Sequence, residues 1–102
     1  MDQCFVCSNL GKKSEAIGRC YGFPMCRSHF AYINYQEEKA ERAGNLAWKE
    51  VWDDTAKSRA DDVEASVNYL IVLRGSLKDL PNEVYEAIET HGLKKKYAKY
   101  MR

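Results

Sequence analysis

Cys4-Phe5-Val6-Cys7 opens the chain, and Cys26-Arg27-Ser28-His29-Phe30 follows after eighteen intervening residues. A C-x2-C turn aims two thiolates at one point, and a C-x2-H pair at the start of a helix supplies two more ligands whose direction the helix sets. Two short pairs separated by a hairpin-sized insert meet the needs of a tetrahedral Zn2+. The sequence therefore predicts one structural zinc ion held by Cys4, Cys7, Cys26 and His29. With all four positions filled by protein atoms, no place is left for a reactive water.

Cys20 is a fifth candidate. A set that uses it in place of His29 also has workable spacing, but the paired set is tighter. The plainer reading of Cys20 is a small buried hydrophobe on a strand. Disulfides are disfavoured because nothing else suggests an oxidising compartment, and His29 at ligand spacing has no role in a disulfide framework.

Working outward, the chain of 102 residues divides near residue 28. Gly11, Gly18, Gly22, Pro24 and all the cysteines come before that point, and helix formers dominate after it. The expected class is mainly α with a small zinc-bound β-hairpin head. Its segments are a head over 1–30, a helical body over 31–92 and a basic C-terminal helix or tail over 93–102.

Within the head, Ser8 to Gly11 reads as a turn. Ala16 to Tyr21 with Gly22 to Met25 reads as a short hairpin. A first helix should start at Cys26 to Ser28 and bury Phe30, Ile33, Ala40 and Ala43, with Gly44-Asn45 as its stop. From Leu46 the positions Trp48, Trp52, Ala56, Ala60, Val63, Val67, Leu70 and Ile71 trace a stripe that supports one helix to Arg74, with Gly75 as terminator. At 1.5 Å per residue that helix would be about 43 Å long and would need a partner, either another segment or a second copy. A break near Ser58 to Asp61 is the alternative, because Asp61-Asp62 could cap a new helix. Pro81 then starts a further helix, with Glu83 in its first turn, a buried face of Val84, Ala87 and Ile88, and an end at His91-Gly92.

The order of knuckle (Cys4 to Cys7), hairpin and ligand pair at a helix start (Cys26 to Phe30) resembles the treble-clef and B-box-like zinc fingers. It is most similar to small microbial B-box-like zinc proteins, and the likeness covers about the first 30 residues. The full cross-braced pattern uses eight ligands and two zinc ions. Here Cys20 stands where a further pair is expected and Phe23 where its mate would fall, so a second zinc is not expected. The resemblance implies a finger followed by a helical hairpin or bundle. It also implies a role in protein interaction, self-association or nucleic-acid contact.

The net charge is +1, unevenly spread: about +5 over residues 93–102 against about −4 over 31–64. The acidic positions Glu50, Asp53, Asp54, Asp61, Asp62 and Glu64 read as a solvated helix face. Lys94, Lys95, Lys96, Lys99 and Arg102 are the nucleic-acid candidates, since lysines neutralise phosphates while Tyr97 and Tyr100 either stack on bases or brace the helix. The residues before Cys4 show no basic and apolar regions of an export signal, so secretion by that route is not expected, and the longest apolar run, Tyr69 to Leu73, falls far short of the roughly 20 residues that span a membrane. A cytoplasmic protein is expected.

An enzyme is not expected. A redox C-x2-C needs a βαβ setting, a Cys26/His29 nucleophile lacks an orienting third group, and no phosphate loop or hydrolase motif is present. The function expected is a zinc-stabilised helical adaptor or regulator with a protein partner, and a homodimer through the long helices is one form of that. The alternative is a nucleic-acid-binding regulator that uses the head and the basic tail.

Overall fold

A computed structural model describes residues 2–43, 47–54 and 57–101, with side chains apart from those of 39–43, 47–48 and 50. The described chain is mainly helical, with one two-stranded antiparallel sheet. The helices are α1 (Phe5–Asn9), α2 (Arg27–Ala43), α3 (Ala47–Asp53), α4 (Ala60–Arg74), α5 (Asn82–Thr90) and α6 (Lys94–Tyr97), the last followed by a 3-10 turn over Ala98–Tyr100. The hairpin pairs β1 (Gly18–Cys20) with β2 (Phe23–Met25), bringing Gly18 opposite Met25 and Cys20 opposite Phe23. It turns at Tyr21 and Gly22, both at positive φ. Gly18 is needed for a different reason. A Cβ there would lie 3.1 Å from the Phe30 ring, so its absence lets the hairpin close onto α2.

Ser8 to Gly11 is not simply a turn. Hydrogen bonds from the Ser8 N–H to the Cys4 carbonyl and from the Leu10 N–H to the Val6 carbonyl wind a short helix inside the knuckle, and the turn comes at Leu10 and Gly11.

The segment 46–74 is not one helix. Asp54 and residues 57–59 are non-helical, and Ala60 starts α4. Local electrostatics favour a break here. Asp61 and Asp62 fall in the first turn of α4, where the helix dipole favours negative charge, while the Lys57 ammonium donates to the Trp52 carbonyl at the end of α3. A continuous helix of about 43 Å would also overhang a body whose longest dimension is 36 Å. Splitting it lets α3 pack against both α2 and α4. The Ala40, Ala43 and Trp48 side chains, Gly44 to Leu46, Ala56 and Arg102 lie outside the described residues.

The centre of the molecule is α4. Val63, Glu64 and Ser66 to Val72 are all buried, so this helix is covered on every side rather than along one stripe. It contacts α1, α2, α3 and α5. Gly75 at φ 80 ends it as expected, its N–H bonded to the Ile71 carbonyl at 2.7 Å. The following connection is held by Tyr85, whose hydroxyl donates to the Leu77 carbonyl at 2.6 Å and accepts from the Leu80 N–H. Pro81 sits just before the first turn of α5, Glu83 lies within that turn, and Val84 and Ile88 are buried. His91 and Gly92 end the helix, with Gly92 at φ 70. No helix among the described residues is long and apolar enough to cross a membrane.

Candidate metal centre

Backbone pairing of the N-terminal segment with residues 12–16 sets the first ligand pair. The Cys4 N–H bonds the Ser14 carbonyl at 2.8 Å, the Ala16 N–H bonds the Asp2 carbonyl at 3.0 Å, and the Lys12 N–H returns to the Cys7 carbonyl at 2.8 Å. The second pair comes from the entry of α2. Cys26 immediately precedes Arg27, and its carbonyl accepts from the Phe30 N–H at 2.8 Å, which places His29 in the first turn on the same side as Cys26.

Ligand atoms of Cys4, Cys7, Cys26 and His29 all lie within 4.8 Å of one another. The Nδ1 atom of His29 is 3.4 Å from each of the three sulfurs, and the Cys7 and Cys26 sulfurs are 3.9 Å apart. Metal–sulfur bonds of about 2.3 Å and a metal–nitrogen bond of about 2.0 Å put tetrahedral ligands roughly 3.8 Å apart sulfur to sulfur and roughly 3.5 Å apart sulfur to nitrogen. The cluster has the dimensions of a tetrahedral site of three sulfurs and one nitrogen, and it could hold one metal ion. Among the described residues it is the group of His, Cys, Asp and Glu side chains with that capacity.

The electrostatics favour the same conclusion. Burial pushes the Cys4 thiol up, but backbone N–H groups at Cys7 and Cys26 donate to it and the net shift is below its ordinary value of 9.0. Cys7 is driven up to about 11, first by burial; a hydrogen bond from Ser14 opposes the rise, and the contact with Cys4 and its charge add to it. A thiolate at one position thus makes its neighbour reluctant to ionise. A cation among them removes the conflict. For His29, burial and then the nearby Lys12 charge lower the pKa, which favours the neutral imidazole a metal needs.

Cys20 is not in the cluster. It is buried on β1 opposite Phe23, and burial, followed by the Glu37 charge, raises its thiol pKa. That leaves it as a packing residue, and His29 takes the fourth position.

No family model, curated protein or solved structure matches this chain. The centre therefore has to be understood from its own surroundings. Tyr69 of α4 stands over it. The ring lies 6.0 Å from that of His29 and 4.5 Å from that of Tyr32, and its hydroxyl pKa is pushed up to about 12, first by burial and then by the charges of Cys7, Cys4 and Cys26. The helical body thus covers one side of the site.

A second polar cluster ties the head to the C-terminal segment. Asn9 of α1 donates to Asn68 Oδ1 at 2.5 Å, and Asn68 Nδ2 donates to the Tyr97 hydroxyl at 2.9 Å and to the Glu64 carbonyl at 2.7 Å. The Tyr97 hydroxyl donates to Glu64 Oε1 at 2.7 Å. Lys96 pairs with the same carboxylate and donates to the Asn9 carbonyl at 2.6 Å.

Glu64, expected on a solvated acidic face, is 7% exposed and belongs to this network. Lys96, expected among the nucleic-acid candidates, is committed to it through its ammonium. Lys94, Lys95 and Lys99 stay exposed, and Lys99 lies over the Tyr100 ring. Tyr97 braces the fold and is not free to stack on bases. The sequence signal for this cluster was present: Glu64 and Asn68, one helical turn apart, interrupt with Ser66 an otherwise apolar stretch of α4.

Proposed function

We propose that the chain is a small zinc-stabilised adaptor or regulator that binds another macromolecule, with a protein partner as the first reading. The observation behind it is the complete, largely buried set of three thiols and one imidazole, which is suited to Zn2+ and leaves no open coordination position for substrate. A closed site of that kind contributes folding energy and no chemistry, so the outer surface carries the function. The order of knuckle, hairpin and helix-borne ligand pair supports a treble-clef or B-box-like finger. When bound, zinc would join α1 to the start of α2 and hold both beneath Tyr69.

The long unpartnered helix that made a second copy attractive is replaced by two shorter, packed helices. A homodimer, if formed, must use the outer faces of the helices. Native mass spectrometry should find one zinc per chain, lost in Cys26→Ala, and affinity capture should recover a defined protein partner. A folded, metal-free chain with titratable thiols would overturn the zinc reading, and absence of any macromolecular partner would overturn the adaptor reading.

A second reading, a nucleic-acid-binding regulator, has a specific observation in its favour. The basic tail does not hang free. The bond from Lys96 to the Asn9 carbonyl holds it against the finger.

A further inference from the structure

Lys12 and Lys13 follow the knuckle, and Lys94 and Lys95 open α6, more than 80 residues later. The fold joins these two basic segments. Lys96 bonds the carbonyl of Asn9, three residues before Lys12, while Asn9 and Tyr97 both bond Asn68. The head and the tail are thereby pinned to the same stretch of α4. Lys12, Lys13, Lys94, Lys95 and Lys99 are all exposed. Among the described residues the ion pairs are Arg19–Asp2, Lys49–Asp53, Arg59–Asp61 and Lys96–Glu64, so none of these five ammonium groups is neutralised by a partner carboxylate. Glu64, at the junction, is buried and already matched by Lys96.

Beside the knuckle lies an open cleft of about 510 Å3, lined by Gln3, Ser8, Gly11, Lys12 and Lys13. Its lining offers an amide, a hydroxyl and two ammonium groups and, among the described residues, no carboxylate. Such a cleft suits a phosphodiester, and the tail lysines extend the positive field beyond it.

Resting on the nucleic-acid reading above, we infer that Lys12 and Lys13 at the cleft and Lys94, Lys95 and Lys99 on the docked tail form one composite surface for the nucleic-acid phosphate backbone. Recognition at this surface is independent of sequence. Tyr97 is buried and Tyr100 half-buried, so the tail presents no free aromatic platform for bases, and contacts to phosphate carry no base information. Lys96 acts as a positioning residue: its ammonium is spent on Asn9 and Glu64, and it holds the two halves together.

The test is fluorescence anisotropy of the zinc-loaded full chain with labelled single-stranded and duplex oligonucleotides of unrelated sequences, at several salt concentrations starting from about 50 mM. Binding of similar strength to every sequence is expected. Lys12→Glu with Lys13→Glu, and separately Lys94→Glu with Lys95→Glu, should each weaken it about tenfold or more. Each pair should also flatten the salt dependence by about 1 to 2 in log–log slope, as expected for the loss of two phosphate contacts. The corresponding Lys→Gln pairs guard against effects of the new negative charge, and zinc content with circular dichroism confirms that each variant is folded. Lys49→Glu, on α3 and already paired with Asp53, should change binding far less.

If the wild-type chain binds no nucleic acid, the nucleic-acid reading falls and this inference with it. If it binds but both pairs leave affinity and salt slope unchanged, or Lys49→Glu weakens it as much as they do, the composite surface alone is overturned. Competition by polyglutamate as effective as that by an equally charged oligonucleotide would also overturn it, in favour of an acidic protein surface.

Discussion

Tyr97 sits among lysines in the sequence yet is 1% exposed, its hydroxyl shared between Asn68 and Glu64. Burial, and next the Glu64 carboxylate, hold its phenol above the ordinary value of 10.0. The folded state therefore keeps this proton more tightly than the unfolded chain does, and the associated stability is present below about pH 10 and is lost as pH rises beyond it. Tyr97→Phe should lower stability by about 1–2 kcal/mol at neutral pH, and the gap to wild type should narrow above pH ~10, read as urea midpoints across that range. A constant gap would mean that the hydroxyl does not act through its proton. At Cys20 the packing role makes a contrasting forecast. Cys20→Ala should keep one metal per chain and cost about 1–2 kcal/mol, whereas Cys26→Ala should lose the metal, both measurable by native mass spectrometry and thermal melts. Metal loss in Cys20→Ala would return Cys20 to the ligand set.

At the scale of elements, α1 has two sets of attachments. Cys4, just before it, and Cys7, within it, belong to the candidate metal cluster, and Asn9 at its end bonds α4 and α6. Metal affinity and tail docking should therefore be coupled, and the coupling must be equal in both directions. In Lys96→Met the zinc-loaded chain should be cleaved by trypsin at Lys94, Lys95 and Lys99 several times faster than wild type. Its zinc affinity should fall about 3- to 10-fold, a coupling near 1 kcal/mol. Faster cleavage with unchanged zinc affinity would show that α1 transmits nothing between the two sites. The reading of the elements from sequence succeeded where a local signal decides. Gly75 and Gly92 adopt the positive φ that ends a helix, Pro81 precedes α5, and the hairpin falls between the ligand pairs. It missed α1, whose five residues are too short for a periodic pattern and depend on packing against α4.

For the molecule as a whole, Cys4, Cys7 and Cys26 belong to the same buried cluster as Val63, Leu70, Ile88 and Tyr97, so head, body and tail share one core. The Cα radius of gyration, 12.9 Å, matches the roughly 13 Å of a compact chain near 100 residues. A core of this size is only marginally self-sufficient, so a metal ion bound at the Cys/His cluster should support all of it and not the N-terminal head alone. Chelation should abolish near-ultraviolet circular dichroism and raise the radius of gyration well above 12.9 Å in small-angle scattering. Persistent amide protection across α4 and α5 in the chelated protein would instead show a body that folds without its head.

By itself the sequence determined that Cys4, Cys7, Cys26 and His29 could gather into one metal-binding cluster, and where α2 begins, α4 ends and α5 begins and ends, because ligand spacing and the φ preferences of Gly and Pro act within a few residues. Only the tertiary structure decided that 46–74 divides, that Glu64 and Asn68 are buried, and that the tail docks beside the knuckle with Lys96 turned inward. Those outcomes depend on which surfaces meet across gaps of up to 87 residues. The pattern of apolar residues says that a face must be covered, and only packing decides by what.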